Sequence, residues 1–161
     1  MNHHPSSIPG FNRQEVSIRP MLRSDVSVVI ALDARVFGKP RTAYFERRLA
    51  ALEHPETGNH LIFLVADYRD EIIGFIMGTL ASGEFGLAQV TTIIDSLAVH
   101  PRYQRQHIGQ HLIETFLSQS VSLGAKTAYT LVHWENWELL KVFHSLGFSL
   151  ASTIPLERQI V

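Results

Sequence analysis

Apolar and polar positions along the chain trade one periodicity for another several times, and each change marks an element. Val16, Ser17, Ile18 and Arg19 alternate, as a strand with one buried face requires, and Pro20 stops them because proline brings no N–H to a ladder. Ser24 is then placed to cap a helix whose apolar side is Val26, Val29, Ile30 and Ala34. Phe37-Gly38-Lys39-Pro40 breaks it, and a second helix over 42–52 turns Phe45, Leu49 and Leu52 inward. After a loop at 54–59, two apolar runs at 61–66 and 72–80 flank Tyr68-Arg69-Asp70-Glu71, which predicts an antiparallel hairpin. Gly74 and Gly78 inside the second run mark a bulge or a close backbone approach. A flexible loop over 81–88 leads to a long strand over 90–99. From about Gln106 to Leu123 the period is helical, with Ile108, Leu112 and Phe116 inward, Ile113 and Leu117 beside them, and Gly124 past the end. A strand over 126–132 follows this crossover and should run parallel to 90–99. A last helix over 136–146 buries Leu139, Leu140 and Phe143, Gly147 ends it, and Phe148 packs back on it. Ile154, Leu156 and Ile160 suggest closing strands.

This order predicts an α/β protein with a mixed, mostly antiparallel sheet, a central parallel strand pair and helices on both faces. Residues 1–14, with Pro5, Ser6, Ser7, Pro9 and Gly10, read as a flexible N-terminal arm, and 15–161 as a single domain. Hydrophobic residues at 45% and charged residues at 18% suit a soluble globular chain rather than a disordered one. A net charge of −1 gives no basis for general nucleic-acid affinity, which calls for a strong basic excess. With no cysteine there is no thiol nucleophile, thiolate metal site or disulfide. No apolar run reaches membrane-spanning length and the N-terminus carries no secretory core, so a cytoplasmic protein is the default expectation. A homodimer is compatible with this reading.

The stretch over 97–112 carries the chemistry. It runs from a strand end, through Pro101 and a polar turn with Arg102 and Arg105, into an amphipathic helix. The first N–H groups of such a helix have no partner within it, and with the helix dipole they favour an anion. A phosphorylated cofactor held between Arg102 and Gln110 is the first expectation. It has neither a glycine-rich P-loop nor a dinucleotide fingerprint, which speaks against a nucleotide-binding regulatory domain.

Gln104-x-x-His107-x-Gly109 after a Val99-x-Pro101 strand end resembles the signature of the GNAT acyltransferase superfamily. A second motif, Asn136 followed by an apolar helix face, Phe143 and Gly147-Phe148, resembles the family's C-terminal motif. The likeness covers about 16–155, nearly the whole chain. It implies the GNAT fold and transfer of an acetyl group from acetyl-CoA to a primary amine by direct attack in a ternary complex. Backbone amides of Arg105, Gln106, His107, Ile108, Gly109 and Gln110 would hold the pyrophosphate, and Gln104 takes the motif's first polar position. Leu97, Ala98 and Val99 would pair with the pantetheine arm, and the Val99 N–H would polarise the thioester carbonyl. Asn136 would face the arm.

Two residues depart from the family pattern. His107 stands where glycine is common, and Phe143 where many relatives carry a tyrosine thought to protonate the leaving thiolate. The thiol pKa, about 8.5 for free cysteine, allows that step without an enzyme acid. The alternative is a non-catalytic module of the same fold that binds or senses acyl-CoA.

Asp95 matches a position where some relatives carry a catalytic glutamate. Strand alternation puts it on the face of Leu97 and Val99. It is the candidate base, directly or through water; the plainer reading is a strand carboxylate that binds a nearby N–H or sits at a substrate pocket. His107 and His111 have metal-binding spacing, but the residues between are not a zinc-protease pattern, so no metal is expected. His133 and His144 read as surface histidines, and Trp134 and Trp137 as core packing or pocket lining. Arg102 and Arg105 are placed to approach phosphate. Tyr44, Phe45, Arg47, Arg48 and Glu84 would shape the acceptor side, whose amine the sequence does not identify.

Overall fold

A computed structural model of the chain describes residues 8–53, 60–82, 88–153 and 155–160. The expected loop over 54–59 and residues 83–87 of the loop expected over 81–88, with Glu84, lie outside these, as do Ile154 and the side chain of Leu52; Ala81 and Ser82 belong to a strand, not to that loop. The contacts group into two compact units, Met1–Leu131 and Val132–Val161.

The first unit contains β1 (Val16–Pro20), α1 (Val26–Phe37), α2 (Thr42–Glu53), β2 (His60–Tyr68), β3 (Glu71–Ser82), β4 (Val90–Val99), α3 (Ile108–Ser122) and β5 (Thr127–Thr130). The sheet order is β1-β2-β3-β4-β5. Every neighbouring pair is antiparallel except β4 and β5, which are parallel as the crossover through α3 requires. The hairpin between β2 and β3 turns on Arg69 (φ 52°) and Asp70 (φ 64°), the left-handed pair that matches strand twist in a two-residue loop. Asp70 donates its N–H to Asp67 Oδ1 at 3.1 Å.

Helices cover both faces. Val29 and Leu32 of α1 and Phe45 of α2 pack with Phe63, Val65, Ile72, Phe75, Met77 and Ala98. On the other face α3 buries Ile108, Leu112, Ile113 and Phe116, each contributing about 1.5–3 kcal/mol of transfer free energy. The two strand glycines are where α3 approaches. A Cβ on Gly74 would sit 3.1 Å from both the Ala98 carbonyl and Leu112 Cδ1. One on Gly78 would overlap the Ile93 carbonyl and lie 2.6 Å from Phe116 Cζ.

Several boundaries differ from expectation, each for a physical reason. Ser24 is not the cap of α1: a 3-10 turn over Arg23–Asp25 precedes the helix, and Asp25 Oδ2 accepts from the Leu22 N–H at 2.8 Å and from Arg19 at 2.7 Å. The buried positions of α1 are Val29, Leu32 and Asp33. The helix α3 starts at Ile108, not Gln106, because Arg105 and His107 both take φ 61° and cannot propagate a right-handed helix. Part of the expected arm is tied to the sheet: the Phe11 ring lies 5.0 Å from Tyr68 and 5.5 Å from Tyr103, and Tyr68 Oη donates to the Gly10 carbonyl at 3.1 Å.

The second unit contains α4 (Trp137–Ser145). Gly147 closes it at φ 86°, the Phe148 N–H reaches back to the Phe143 carbonyl at 3.1 Å, and the two rings meet edge-on at 4.9 Å, as the sequence suggested. The expected closing strands do not form among the described residues: Leu150, Leu156 and Ile160 are 97%, 95% and 94% exposed. Glu157-Arg158-Gln159 interrupts the apolar positions there, and Pro155 lacks a ladder donor.

Candidate functional site

The strand–turn–helix stretch is held from below by an aromatic plug. Past β4, Pro101–Tyr103 makes one 3-10 turn, and Tyr103 is buried with its hydroxyl donating to Glu71 Oε2 at 3.0 Å. Gln104 is extended and donates Nε2–H to the Val99 carbonyl at 3.0 Å, tying the turn to the strand end. Two left-handed residues then reverse the backbone, and His107 becomes the N-cap of α3 without a capping bond. Its ring lies along the first turn, with Nδ1 2.9 Å from Gln110 Oε1, a bond the δ-protonated imidazole donates. The first intrahelical bond is from the His111 N–H to the His107 carbonyl at 3.1 Å, so the N–H groups of Ile108, Gly109 and Gln110 precede the ladder and point out of the helix end. The left-handed φ of His107 adds a second reason for the family's glycine, beside open access for phosphate; histidine is among the residues that enter this region.

Beside this helix end, β4 has an edge beyond Ile94 that is open in the sense that no described strand pairs with it. Its pairing with β5 covers only Thr91 to Ile94, whereas its pairing with β3 continues to Val99. The His100 N–H donates to the Ile73 carbonyl at 2.8 Å, which fixes the alternation. Ala98 therefore turns its N–H and C=O towards β3, while Leu97 and Val99 turn theirs to the open edge. Of the three residues expected to offer backbone groups there, Leu97 and Val99 do; those of Ala98 belong to the ladder.

A bulge separates this edge from the paired part of β4. Met77 faces Ser96 and Gly78 faces Ile94, so Asp95 has no partner across the ladder. The extra residue switches the strand's facing. Asp95 and Ser96 both reach the α2 side, with Asp95 Oδ2 2.8 Å from Arg48 Nη2 and Ser96 Oγ 3.2 Å from Arg41 Nη2 and 3.3 Å from Tyr44 Oη. Val99 points to α3, where a Cβ on Gly109 would lie 3.6 Å from Val99 Cγ2. Asp95 and Val99 thus lie on opposite faces, contrary to simple alternation.

The Asp95 side chain is 16% exposed, and Oδ2 is buried without a well-aligned hydrogen bond, so the Arg48 contact is an ion pair by distance only. Burial pushes the carboxyl pKa above its usual value, and the Arg48 charge opposes that rise. Behind this pair is a second one. Asp33 is fully buried and accepts from Arg41 Nε at 2.9 Å, and Arg41 lies over the Phe37 ring at 4.4 Å and the Tyr44 ring at 4.9 Å. Sequence reasoning missed Asp33, Arg41 and Ser96. The signal was Asp33, four residues after Val29 on the apolar stripe of α1, since a carboxylate there demands a cationic partner.

In the second unit, Asn136 Oδ1 accepts from the Leu139 N–H at 3.2 Å and so caps α4. Phe143 is buried. Trp134 and Trp137 are 70% and 65% exposed, not core residues. His133 and His144 are exposed, and the His133 ring stacks on Trp134. Arg105 is exposed, and Arg102 lies over the Tyr103 ring at 5.7 Å. Among the described residues no group of histidine and carboxylate side chains has metal-binding geometry. None of their helices is long and apolar enough to cross a membrane.

Comparison with known proteins identifies the family and the fold. The model of the Acetyltransferase (GNAT) family matches residues 28–148. The uncharacterized N-acetyltransferase YjhQ of Escherichia coli (strain K12) is 30% identical over 113 residues, which are 69% of this chain and 60% of that protein's length. Among solved structures, a transcriptional regulator from Bacillus halodurans C-125 superposes with a TM-score of 0.76 at 18% identity, over 90% of this chain and 99% of that one. The aminoglycoside N-acetyltransferase AAC(6')-Iy in complex with CoA gives 0.72 at 19% identity, over 89% and 94%. The aminoglycoside acetyltransferase meta-AAC0020 from an uncultured soil metagenomic sample, in complex with sisomicin, gives 0.72 at 17% identity, over 92% and 97%. These structures share the fold, and the family match over most of the length places the chain in the GNAT acetyltransferase family.

Proposed function

We propose that the protein transfers an acetyl group from acetyl-CoA to a primary amine by direct attack in a ternary complex, and that 15–161 acts as one catalytic domain. The observation that carries this reading is the open β4 edge lying beside the uncapped N-terminus of α3. The first suits a pantetheine amide chain and the second a pyrophosphate. Backbone amides over 105–110 receive the pyrophosphate, with Gln104 fixing the turn behind them. Leu97 bonds the pantetheine arm, and Val99, whose carbonyl already accepts from Gln104, gives its N–H to the thioester end of that arm, where it would polarise the carbonyl.

Acetyl-CoA supplies the acyl group and a thiolate leaving group. The enzyme's part is to orient the amine and take up its proton. Asp95 is the candidate base, on the α2 side of the strand, and burial raises its pKa, which makes the carboxylate a better proton acceptor than an exposed aspartate. As the C–N bond forms and the C–S bond breaks, the sulfur takes its proton from solvent, since Phe143 has none to give. Asn136 and Phe143 belong to the family's C-terminal motif and are assigned to the cofactor's arm by that likeness.

Phe143 also supports a second reading, a module that binds or senses acyl-CoA without turnover. Two measurements test the assignment. Acetyl-CoA should raise the melting temperature more than NAD or ATP; equal shifts overturn the cofactor. Release of CoA thiol with some amine separates enzyme from sensor, which stays silent with every acceptor.

A further inference from the structure

The ion pair at the bulge bears on the acceptor. Arg48 reaches from α2 to within 2.8 Å of Asp95 Oδ2, yet leaves that buried oxygen without a well-aligned donor. Both side chains keep some exposure, 31% for Arg48 and 16% for Asp95. Arg48 is also steadied by the Tyr44 ring at 5.6 Å from its guanidinium carbon, so it keeps a support if Asp95 is taken by another cation. Its neighbour Arg41 is committed to the fully buried Asp33 and to Ser96, and cannot replace it.

Charge balance limits what can enter. Arg41 pairs with Asp33 and Arg48 pairs with Asp95, so these four side chains offer no surplus carboxylate to a polycation. An ammonium group approaching Asp95 meets the Arg48 cation beside it, and an acceptor without an anion leaves that guanidinium uncompensated. An acceptor carrying its own carboxylate close to the amine solves both problems by exchanging partners.

We propose that the acceptor is a zwitterionic amine, an amino acid or a molecule with an amino-acid-like end, whose ammonium replaces Arg48 on Asp95 while its carboxylate takes the freed guanidinium. This rests on the acetyltransferase reading and names its substrate class. The ammonium gives one proton to Asp95, and from there to solvent. The resulting amine attacks the thioester carbon, the C–S bond breaks, and the second proton lost from nitrogen balances the one gained by the CoA sulfur. Arg48 is a specificity residue: its planar fork matches a carboxylate in bidentate geometry.

The test is a cycle crossing enzyme and acceptor, with CoA thiol release as the readout. The protein is assayed with the common amino acids, with the amines left when each carboxylate is removed, and with an aminoglycoside. For an amino acid that turns over, removing its carboxylate or making Arg48→Gln should each raise KM about 10- to 100-fold. The two changes together should cost little more than either alone, and Arg48→Lys should recover part of the loss. Melting curves with acetyl-CoA verify that each variant is folded and loaded. Costs that multiply independently overturn the proposal, as does an amine or aminoglycoside used better than every amino acid. An acetyl-CoA-loaded protein silent with the whole panel overturns it together with the enzymatic reading, leaving the sensor, whereas turnover confined to amines without a carboxylate overturns this proposal alone. If acetyl-CoA itself does not raise the melting temperature, the acetyltransferase reading fails instead.

Discussion

Gly78→Ala places one methyl group where β3, β4 and α3 converge. The new Cβ would overlap the Ile93 carbonyl and sit 2.6 Å from Phe116 Cζ and 2.9 Å from Cε2. Phe116 is fully buried, and the carbonyl belongs to a strand paired on both sides, so neither has room to retreat. Relief must come from separating β3 from β4 or lifting α3, and overpacking of this kind costs about 1–3 kcal/mol. For a chain of this length that corresponds to a melting temperature lower by about 2–12 °C. Gly78 pairs with Ile94, immediately before the bulge at Asp95, so the strain falls where the candidate base is set. Gly74→Ala is the internal control. Its Cβ would meet Leu112 Cδ1, the end of a side chain, at 3.1 Å, though the Ala98 carbonyl is equally near, so a smaller loss is expected. Calorimetry of the three proteins in one buffer measures both. A Gly78→Ala protein melting within 1 °C of the parent, a threshold small against the expected shift, would refute the close packing of α3 on β3.

Other substitutions probe the site itself. Asp95→Asn should lower kcat/KM about 100- to 10,000-fold with little change in acetyl-CoA affinity; an unchanged rate removes Asp95 as base. In the parent, the acidic limb of kcat/KM should lie above the usual aspartate range, because burial raises this pKa. A carboxyl with a raised folded pKa binds its proton more readily folded than unfolded, so the same group makes stability fall as pH rises through that window, a slope that Asp95→Asn should abolish. His107→Gly should preserve acetyl-CoA binding, whereas His107→Val, a β-branched residue forced to φ 61°, should lose about 1–2 kcal/mol of stability in a denaturant titration. Asp33→Ala strands the Arg41 guanidinium and should cost about 3 kcal/mol, the low end for a broken buried pair, because Arg41 is 28% exposed.

The fold was largely legible because its signals are local and repeated. The hairpin turn, the period change after Pro101 and the two terminal glycines of α3 and α4 each report on a few neighbouring residues, and the structure bears them out. The strand end, turn and helix start proposed to hold a pyrophosphate were legible as elements for the same reason, since they are adjacent in sequence. What stayed hidden depends on register and distant partners. Nothing in residues 90–99 announces that Asp95 is skipped in the ladder; that follows from how β4 meets β3 across Gly78, whose glycine hinted at irregularity without locating it. Arg41 reaches Ser96 across 55 positions, a link no periodicity encodes. The closing strands do not form among the described residues for another reason: apolar residues such as Leu156 and Ile160 do not by themselves supply a partner edge for backbone hydrogen bonds.

The central claim is that the donor's arm bonds the open edge of β4 and its pyrophosphate bonds the end of α3. Residue-resolved amide exchange by NMR, with and without acetyl-CoA, tests it most directly. Slowed exchange is predicted at Leu97 and Val99 and at Ile108, Gly109 and Gln110, with Ala98 unaltered because its N–H is already paired with β3. Protection that leaves these five amides unchanged and falls elsewhere would contradict the account.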